Sequence, residues 1–207
     1  MSERYPPETL APIIEALLLT AGAPMNLTQI ASVFEGAEQP TPGEIGQALS
    51  HLGAACEGRG VELKEVASGY RLQVREQYME WVSRLWEERP QRYSRALLET
   101  LALIAYRQPI TRGDIEEVRG VSVSSNIIRT LQEREWIRVV GHRDVPGKPA
   151  LFGTTKAFLD YFSLSSLDDL PTLAEIKDLG SLEPEFEFDA PQTEPQSSSE
   201  AAPEATS

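Results

Sequence analysis

The sequence predicts a mainly α-helical protein of the α+β class, in which a unit of three helices and a small β-hairpin occurs twice in tandem and an acidic tail follows. Three observations support this prediction. An apolar helix pattern recurs 84 positions further along the chain, and an alternating strand pattern closes each copy. The last part of the chain is rich in Glu, Pro and Ser and poor in aliphatic residues.

The first helix of each copy has a single apolar face. In both copies the apolar residues fall at positions i, i+1, i+4, i+5 and i+8, which is the spacing of an amphipathic helix. They are Ile13, Ile14, Leu17, Leu18 and Ala21 in the first copy, and Leu97, Leu98, Leu101, Ala102 and Ala105 in the second.

A second helix with a strong start signal follows in each copy. Asn26 with Gln29, and Thr111 with Asp114, have the spacing of a capping box. In a capping box, a side-chain oxygen accepts a hydrogen bond from an N–H group that has no partner within the helix. Both copies therefore predict a short second helix at equivalent positions.

The third helix and the hairpin complete each copy. We expect third helices from about 42 to 55 and from about 123 to 134. Alternating residues then predict one hairpin at 61–74, turning at Ala67-Ser68-Gly69, and another at 137–154 with a longer turn. Three helices followed by a two-stranded wing is the order of a winged helix-turn-helix domain.

These patterns divide the chain into four parts. They are a first winged-helix domain at 8–75, an amphipathic connecting helix at 76–90, a second winged-helix domain at 91–173 and an acidic tail at 174–207. The tail buries too little apolar surface to offset the entropy of ordering it, so we expect it to be disordered.

The charge is distributed unevenly. The net charge is −13, but the segment 89–149 carries eleven basic and seven acidic residues. An acidic chain with one basic segment argues against a protein that coats nucleic acid and allows a weak, non-specific contact with phosphates. A single cysteine, Cys56, rules out an intramolecular disulfide and indicates a cytoplasmic protein, and no targeting or membrane segment is apparent.

The sequence predicts no catalytic, cofactor or metal site. Gly141 and Gly147-Lys148 are separated by five residues and followed by Pro149, whereas a phosphate loop needs four residues between its glycines and Ser or Thr after the lysine. The two histidines, His51 and His142, have no ligand at metal spacing. We therefore expect a protein that is not an enzyme.

Four segments of the chain resemble one protein family. LLETLALIAYRQPITRGDIEEVRGV at 97–121, VPGKPALFGTT at 145–155 and FLDYFSLSSLDDLP at 158–171 are similar to the hallmark segments of segregation and condensation protein B, ScpB. GRGVELKEVASGYRLQV at 58–74 is a weaker match to the wing of the first domain. Together these segments extend the resemblance over roughly residues 8–171.

The resemblance implies a role and a set of partners. Proteins of this family form homodimers and bind the central part of ScpA, a kleisin that bridges an SMC ATPase dimer, and the assembly condenses and segregates the bacterial chromosome. It implies a cytoplasmic protein associated with the nucleoid, without a cofactor. The chain departs from the family pattern at Glu135-Trp136 in place of Gly-Leu, at His142 in place of Arg and at Ser163 in place of Gly.

Three groups of residues are candidates for contact with partners. For the kleisin we predict exposed apolar residues and the signature turn of the second domain: Leu103, Tyr106, Arg107, Gln108, Pro109, Arg119, Trp81 and Trp86. For the dimer interface we predict Leu17, Leu18 and Leu19 on the apolar first helix. For a weak DNA contact we predict Arg129, Arg134, Arg138, Arg143 and Lys148.

A transcription regulator is the alternative, because many winged helices bind DNA through their third helix. The first copy argues against it, since residues 42–55 contain no Lys or Arg that could contact phosphates or guanine.

Overall fold

The structure is a computed structural model that describes residues 5–36, 39–85 and 93–172. Residues up to Leu170 belong to one compact unit, and this unit contains two separate hydrophobic cores. The prediction of a disordered tail at 174–207 lies outside the described residues.

The first module has the predicted three helices and hairpin. Its elements are α1 (Pro7–Ala21), α2 (Leu27–Ser32), α3 (Pro42–Ala55), β1 (Val61–Val66) and β2 (Gly69–Val74). The capping box of Asn26 and Gln29 is present at the start of α2, and Thr41 with Glu44 forms another at the start of α3. Leu10, Ile14, Ile30, Ile45 and Leu52 are fully buried in the core that the three helices share.

Gly69 lies where the first wing passes close to the start of α2. Tyr70 donates its N–H to the carbonyl of Met25 at 2.8 Å, and Met25 donates its N–H to the carbonyl of Tyr70 at 2.9 Å. Gly69 has a φ of +138°, and a Cβ atom there would lie 2.3 Å from the carbonyl carbon of Met25. Only glycine allows the two backbones to approach this closely.

The connecting segment is not the continuous helix that the sequence predicts. Between Glu76 and Leu85 a four-residue helix, α4 (Met79–Val82), lies between two short 3₁₀ turns. None of these three elements contains a buried residue. A helix this short is marginal in water without tertiary packing, which explains the irregular geometry.

The second module repeats the first and adds a strand. Its elements are α5 (Arg95–Arg107), β3 (Ile110–Thr111), α6 (Arg112–Arg119), α7 (Ser125–Glu133), β4 (Ile137–His142), β5 (Ala150–Thr154) and α8 (Lys156–Tyr161). The sheet is antiparallel in the order β3-β5-β4. The two residues of β3 are too few to show the alternation that predicts a strand. The predicted fold class, two tandem winged helices, is confirmed.

Two helices of the second module end on a non-glycine residue in the left-handed conformation. Glu135, after α7, has a φ of 57°, and Ser163, after α8, has a φ of 58°. The next residue, Trp136 or Leu164, donates its N–H to the carbonyl five residues earlier, at 3.0 and 2.8 Å. This is the Schellman motif, in which the left-handed position is usually glycine.

Candidate partner-binding surfaces

Helix α1 presents apolar residues on two sides. Leu10 and Ile14 face the core of the first module, while Ile13 and Leu19 are 39% and 66% exposed. One apolar side therefore remains in water unless another protein surface covers it.

The structure corrects the prediction for one of the three dimer residues. Leu18 is buried within the first core, so its side chain is not available to a second copy of the chain. Leu17 is half-buried against the same core. Consecutive residues on a helix are rotated by about 100°, which is why Leu19 is exposed although Leu18 is not.

The predicted kleisin-binding turn joins α5 to α6, and one of its residues, Gln108, forms hydrogen bonds within the module. The Gln108 side chain donates a hydrogen bond to the Thr154 hydroxyl at 2.9 Å and accepts one from the Thr154 backbone N–H at 2.8 Å. Gln108 thus fixes the end of α5 to β5 and has little polar capacity left for a partner. Arg107 and Pro109 are exposed on either side of it, and Tyr106 is half-buried.

Arg119 is also held inside the second module. Its guanidinium pairs with the Glu99 carboxylate at 3.1 Å and donates to the Thr100 hydroxyl at 3.3 Å, and its side chain is only 10% exposed. These bonds fasten α6 to α5, which corrects the prediction that Arg119 contacts a partner. Leu103 is half-buried and packs against the second core.

The connecting segment carries exposed apolar side chains. Trp81 is 58% exposed and Leu85 is 79% exposed, and the ring of Tyr78 lies 6.4 Å from that of Trp81. Trp86 lies outside the described residues. An exposed tryptophan beside a tyrosine is typical of a surface that becomes buried when a protein partner binds.

Arg143 on the second wing binds Asp114 at the start of α6. The guanidinium donates to both carboxylate oxygens, at 2.9 and 2.6 Å, and Asp114 also accepts the Thr111 N–H at 3.0 Å. The Arg143 hydrogen bond and the two from Thr111 lower the pKa of Asp114 to about 2. A carboxylate is therefore fixed beside the wing, and it offsets the charge of the arginine that was predicted to contact DNA.

Two more of the five predicted DNA-contacting cations are engaged within the chain. Arg129 pairs with Glu133 at 2.7 Å. The Arg134 guanidinium lies over the ring of Tyr93, 4.7 Å from its centre. Arg138 and Lys148 are exposed, and within the described ranges neither forms an ion pair.

An aromatic cluster at the end of α8 was not predicted as a surface. Trp136 is buried, and its ring contacts those of Tyr93, Tyr161 and Phe162 at 5.1, 4.6 and 5.5 Å. Tyr161 and Phe162 are 53% and 39% exposed. A hydrogen bond with Tyr93, together with burial, raises the pKa of Tyr161. The adjacent pair Tyr161-Phe162 could have indicated this surface in the sequence, because two consecutive helix residues cannot both face the core.

A shallow groove beside the cluster was also missed. It is formed by β4, β5, α8, the α5–α6 turn and the segment after α8, and it is lined by Gln108, Arg138, Thr154, Thr155, Lys156, Leu159 and Leu167. Its two cations are Arg138 on β4 and Lys156 on α8. They lie 18 positions apart, so nothing in the local sequence brings them together.

Within the described ranges, no group of three or more His, Cys, Asp or Glu residues is arranged to hold a metal ion. In the same ranges no helix has the length and the apolarity required to cross a bilayer. Cys56 is buried in the first core.

Fold and surfaces together define a tandem winged-helix protein of the protein-binding class, with exposed apolar side chains on α1 and the connecting segment and few free cations on its wings. A family model described as segregation and condensation complex subunit ScpB matches residues 12–173. The chain belongs to this family.

Relatives of known name are similar over most of their length. The segregation and condensation protein B homolog of Coxiella burnetii is 57% identical over 174 residues, which is 84% of this chain and 83% of the relative. The segregation and condensation protein B of Syntrophotalea carbinolica is 45% identical over 186 residues, 87% of this chain and 91% of the relative. These names give no support to the alternative of a transcription regulator.

Solved structures of the family also match. ScpB from Mycobacterium tuberculosis is 32% identical with a TM-score of 0.36, covering 78% of this chain and 99% of that one. A dimer of an ScpB N-terminal domain complexed with an ScpA peptide is 28% identical with a TM-score of 0.34, covering 38% of this chain and 96% of that one.

Proposed function

We propose that this protein is a non-enzymatic subunit of a bacterial condensin, that it binds an ScpA-type kleisin as a homodimer, and that through the kleisin it joins an SMC ATPase on the nucleoid in the cytoplasm. The observation that carries the proposal is the extent of the family match, which spans both winged-helix modules from residue 12 to residue 173.

The outer side of α1 is the surface we assign to the dimer. Ile13 and Leu19 are exposed while the opposite side of the helix is buried in the module. Pairing of two identical surfaces around a two-fold axis is the commonest way to cover such a face.

The kleisin surface is assigned to the second module and the connecting segment. Arg107 and Pro109 are exposed at the α5–α6 turn, Leu103 and Tyr106 are half-buried beside them, and Trp81 is exposed on the segment that leads into this module. Apolar and aromatic side chains with one arginine are the composition of an interface hot spot.

The placement of Gly147 and Lys148 supports a role without catalysis. Both residues lie in the turn between the antiparallel strands β4 and β5. A phosphate-binding loop instead leads from a strand into a helix, whose N–H groups bind the phosphates. ATP hydrolysis by the assembly then belongs to the SMC subunit.

Co-expression with the ScpA encoded in the same genome tests the proposal. We expect the two proteins to co-elute in size-exclusion chromatography, and Arg107→Glu combined with Trp81→Ala to weaken binding by about tenfold or more, as for hot-spot residues. Arg129→Ala is the matched control, since Arg129 is exposed in the same module but paired with Glu133. The proposal is contradicted if the full-length protein does not bind ScpA, or if it hydrolyses ATP on its own after rigorous purification.

A further inference from the structure

The tip of the first wing is bound to the end of the second module. The Ser68 hydroxyl donates to one carboxylate oxygen of Asp160 at 2.6 Å, and the Ser68 backbone N–H donates to the other at 3.0 Å. Ala67 donates its N–H to the carbonyl of Leu164 at 3.0 Å. Ser68 and Asp160 are 92 positions apart, and the Asp160 carboxylate accepts hydrogen bonds from both the side chain and the backbone of Ser68.

Ser163 adds a second contact from the same place. Arg71 on β2 donates to the Ser163 hydroxyl at 2.9 Å. Ser163 holds the left-handed position after α8 with a φ of 58°, where a side chain costs about 1 kcal/mol relative to glycine. Strained residues persist where a surrounding contact uses them, and here the side chain that causes the strain also makes the contact.

The charge of Lys64 on β1 acts on Asp169, which follows α8. Hydrogen bonds from Ser165 and Ser166 lower the pKa of Asp169, and the nearby charge of Lys64 lowers it further. The first wing therefore meets α8 and the residues after it through a carboxylate, a hydroxyl and a backbone carbonyl.

Neither the hydrophobic cores nor the described part of the connecting segment fixes the two modules relative to one another. The two cores have no buried residue in common. The described part of the connecting segment, Glu76–Leu85, contains no buried residue and no long helix. A segment without buried side chains has few contacts that resist bending.

We propose that Ser68 with Asp160, and Arg71 with Ser163, form a latch that fixes the orientation of the two winged-helix modules, and that Ser163 is a positioning residue rather than a residue required for stability. None of the four latch residues belongs to the outer side of α1 or to the α5–α6 turn. The latch therefore sets the geometry of those surfaces without forming part of them. A partner that contacts both modules then binds a preorganised surface and loses less entropy. This last consequence rests on the proposed function.

Two single variants and one matched control test the latch. Ser163→Gly relieves the left-handed strain and removes the hydroxyl that Arg71 binds, and Asp160→Asn removes the charge that Ser68 binds. Glu135→Gly relieves the same kind of strain after α7, but Glu135 makes no hydrogen bond to the first module within the described residues. Spin labels at His51→Cys and Gln132→Cys, both exposed positions, report the distance between the modules. Cys56 is buried and stays unlabelled, and dilution with unlabelled protein removes distances between subunits.

We expect a narrow distance distribution for the parent protein and for Glu135→Gly, and a broad one for both latch variants. Hydrogen exchange at the Ser68 amide should be about tenfold faster in Asp160→Asn, because the acceptor of its hydrogen bond loses its charge. The melting temperature of Ser163→Gly should stay close to the parent value. Narrow distributions in both latch variants overturn the proposal. Binding of the parent protein to the central segment of ScpA is measured in a separate titration. Absence of binding there contradicts the proposed function but does not affect the test of the latch by distance measurement.

Discussion

Arg143 and Asp114 form a bidentate ion pair that ties the second wing to the first turn of α6. The pair uses the same aspartate that completes the capping box with Thr111, so wing position and helix start depend on one carboxylate. Because Arg143 is held in this pair, it is less available for the DNA contact that the charge pattern of the sequence predicts.

Stability should depend on pH through this carboxylate. Its pKa falls from an ordinary 3.8 to about 2 in the folded protein, so the ionised form is favoured by folding. The contribution is complete above pH 4 and is lost as the pH falls from about 4 to about 2. Asp114→Asn should lower the free energy of unfolding by about 1 kcal/mol at pH 7, the upper end for an exposed pair.

Urea unfolding of both proteins at pH 7 and pH 2.5 checks this prediction. The difference between parent and Asp114→Asn should shrink at the lower pH. A difference that stays constant across this range would show that the carboxylate is not the group responsible.

Binding of the isolated protein to DNA should be weak and independent of sequence. With Arg129 and Arg143 paired inside the chain and Arg134 placed over the Tyr93 ring, Arg138 and Lys148 remain of the five predicted contacts. About two phosphate contacts give a slope of log affinity against log salt of about −2. Fluorescence anisotropy with a random-sequence duplex measures it.

Arg138→Ala with Lys148→Ala should abolish this binding, whereas Arg129→Ala should leave it almost unchanged. A single consensus sequence recovered from a random oligonucleotide pool would contradict the prediction and restore the regulator hypothesis.

Leu19→Glu should produce a folded monomer. The residue is 66% exposed on α1, so the carboxylate does not disturb the module core but would be buried and unpaired in a dimer. Sedimentation velocity with circular dichroism separates assembly from folding. A variant that remains dimeric moves the interface to another surface.

Leu18→Ala is the matched substitution on the next residue. It should lower the free energy of unfolding by about 2–5 kcal/mol, as for a buried leucine, because Leu18 belongs to the core.

Glu135→Gly should stabilise the second module by about 1 kcal/mol, the cost of a side chain in the left-handed conformation. The Thr155 hydroxyl bonds to the backbone carbonyl of Glu135, so this bond survives the substitution. Thermal unfolding followed by circular dichroism measures the gain. Unchanged or lower stability would mean that the Glu135 side chain makes a compensating contact.

Local signals account for what the sequence predicts well. The capping boxes at Asn26 and Thr111 and the α3 limits at Pro42–Ala55 were all predicted, because caps and hairpin turns are determined by residues a few positions apart. The strand β3 was missed for the opposite reason, since its two residues are a strand only through pairing with β5.

The candidate site was predicted less well, because its residues interact across long sequence separations. Arg119, Gln108 and Arg143 were predicted as partner contacts from their position in a motif or a charge pattern. Their bonds to Glu99, Thr154 and Asp114 cross 20, 46 and 29 positions. A polar residue in a motif can serve the fold or a partner, and only the tertiary structure separates the two roles.

The backbone approach at Gly69 has a consequence for mutational tolerance. Every missense change at this codon introduces a Cβ atom that would lie 2.3 Å from the Met25 backbone, so the wing must move away from α2. Ser68, which binds Asp160, is the preceding residue and would move with it. In a saturation mutagenesis library sorted for folded protein, every substitution at position 69 should be depleted.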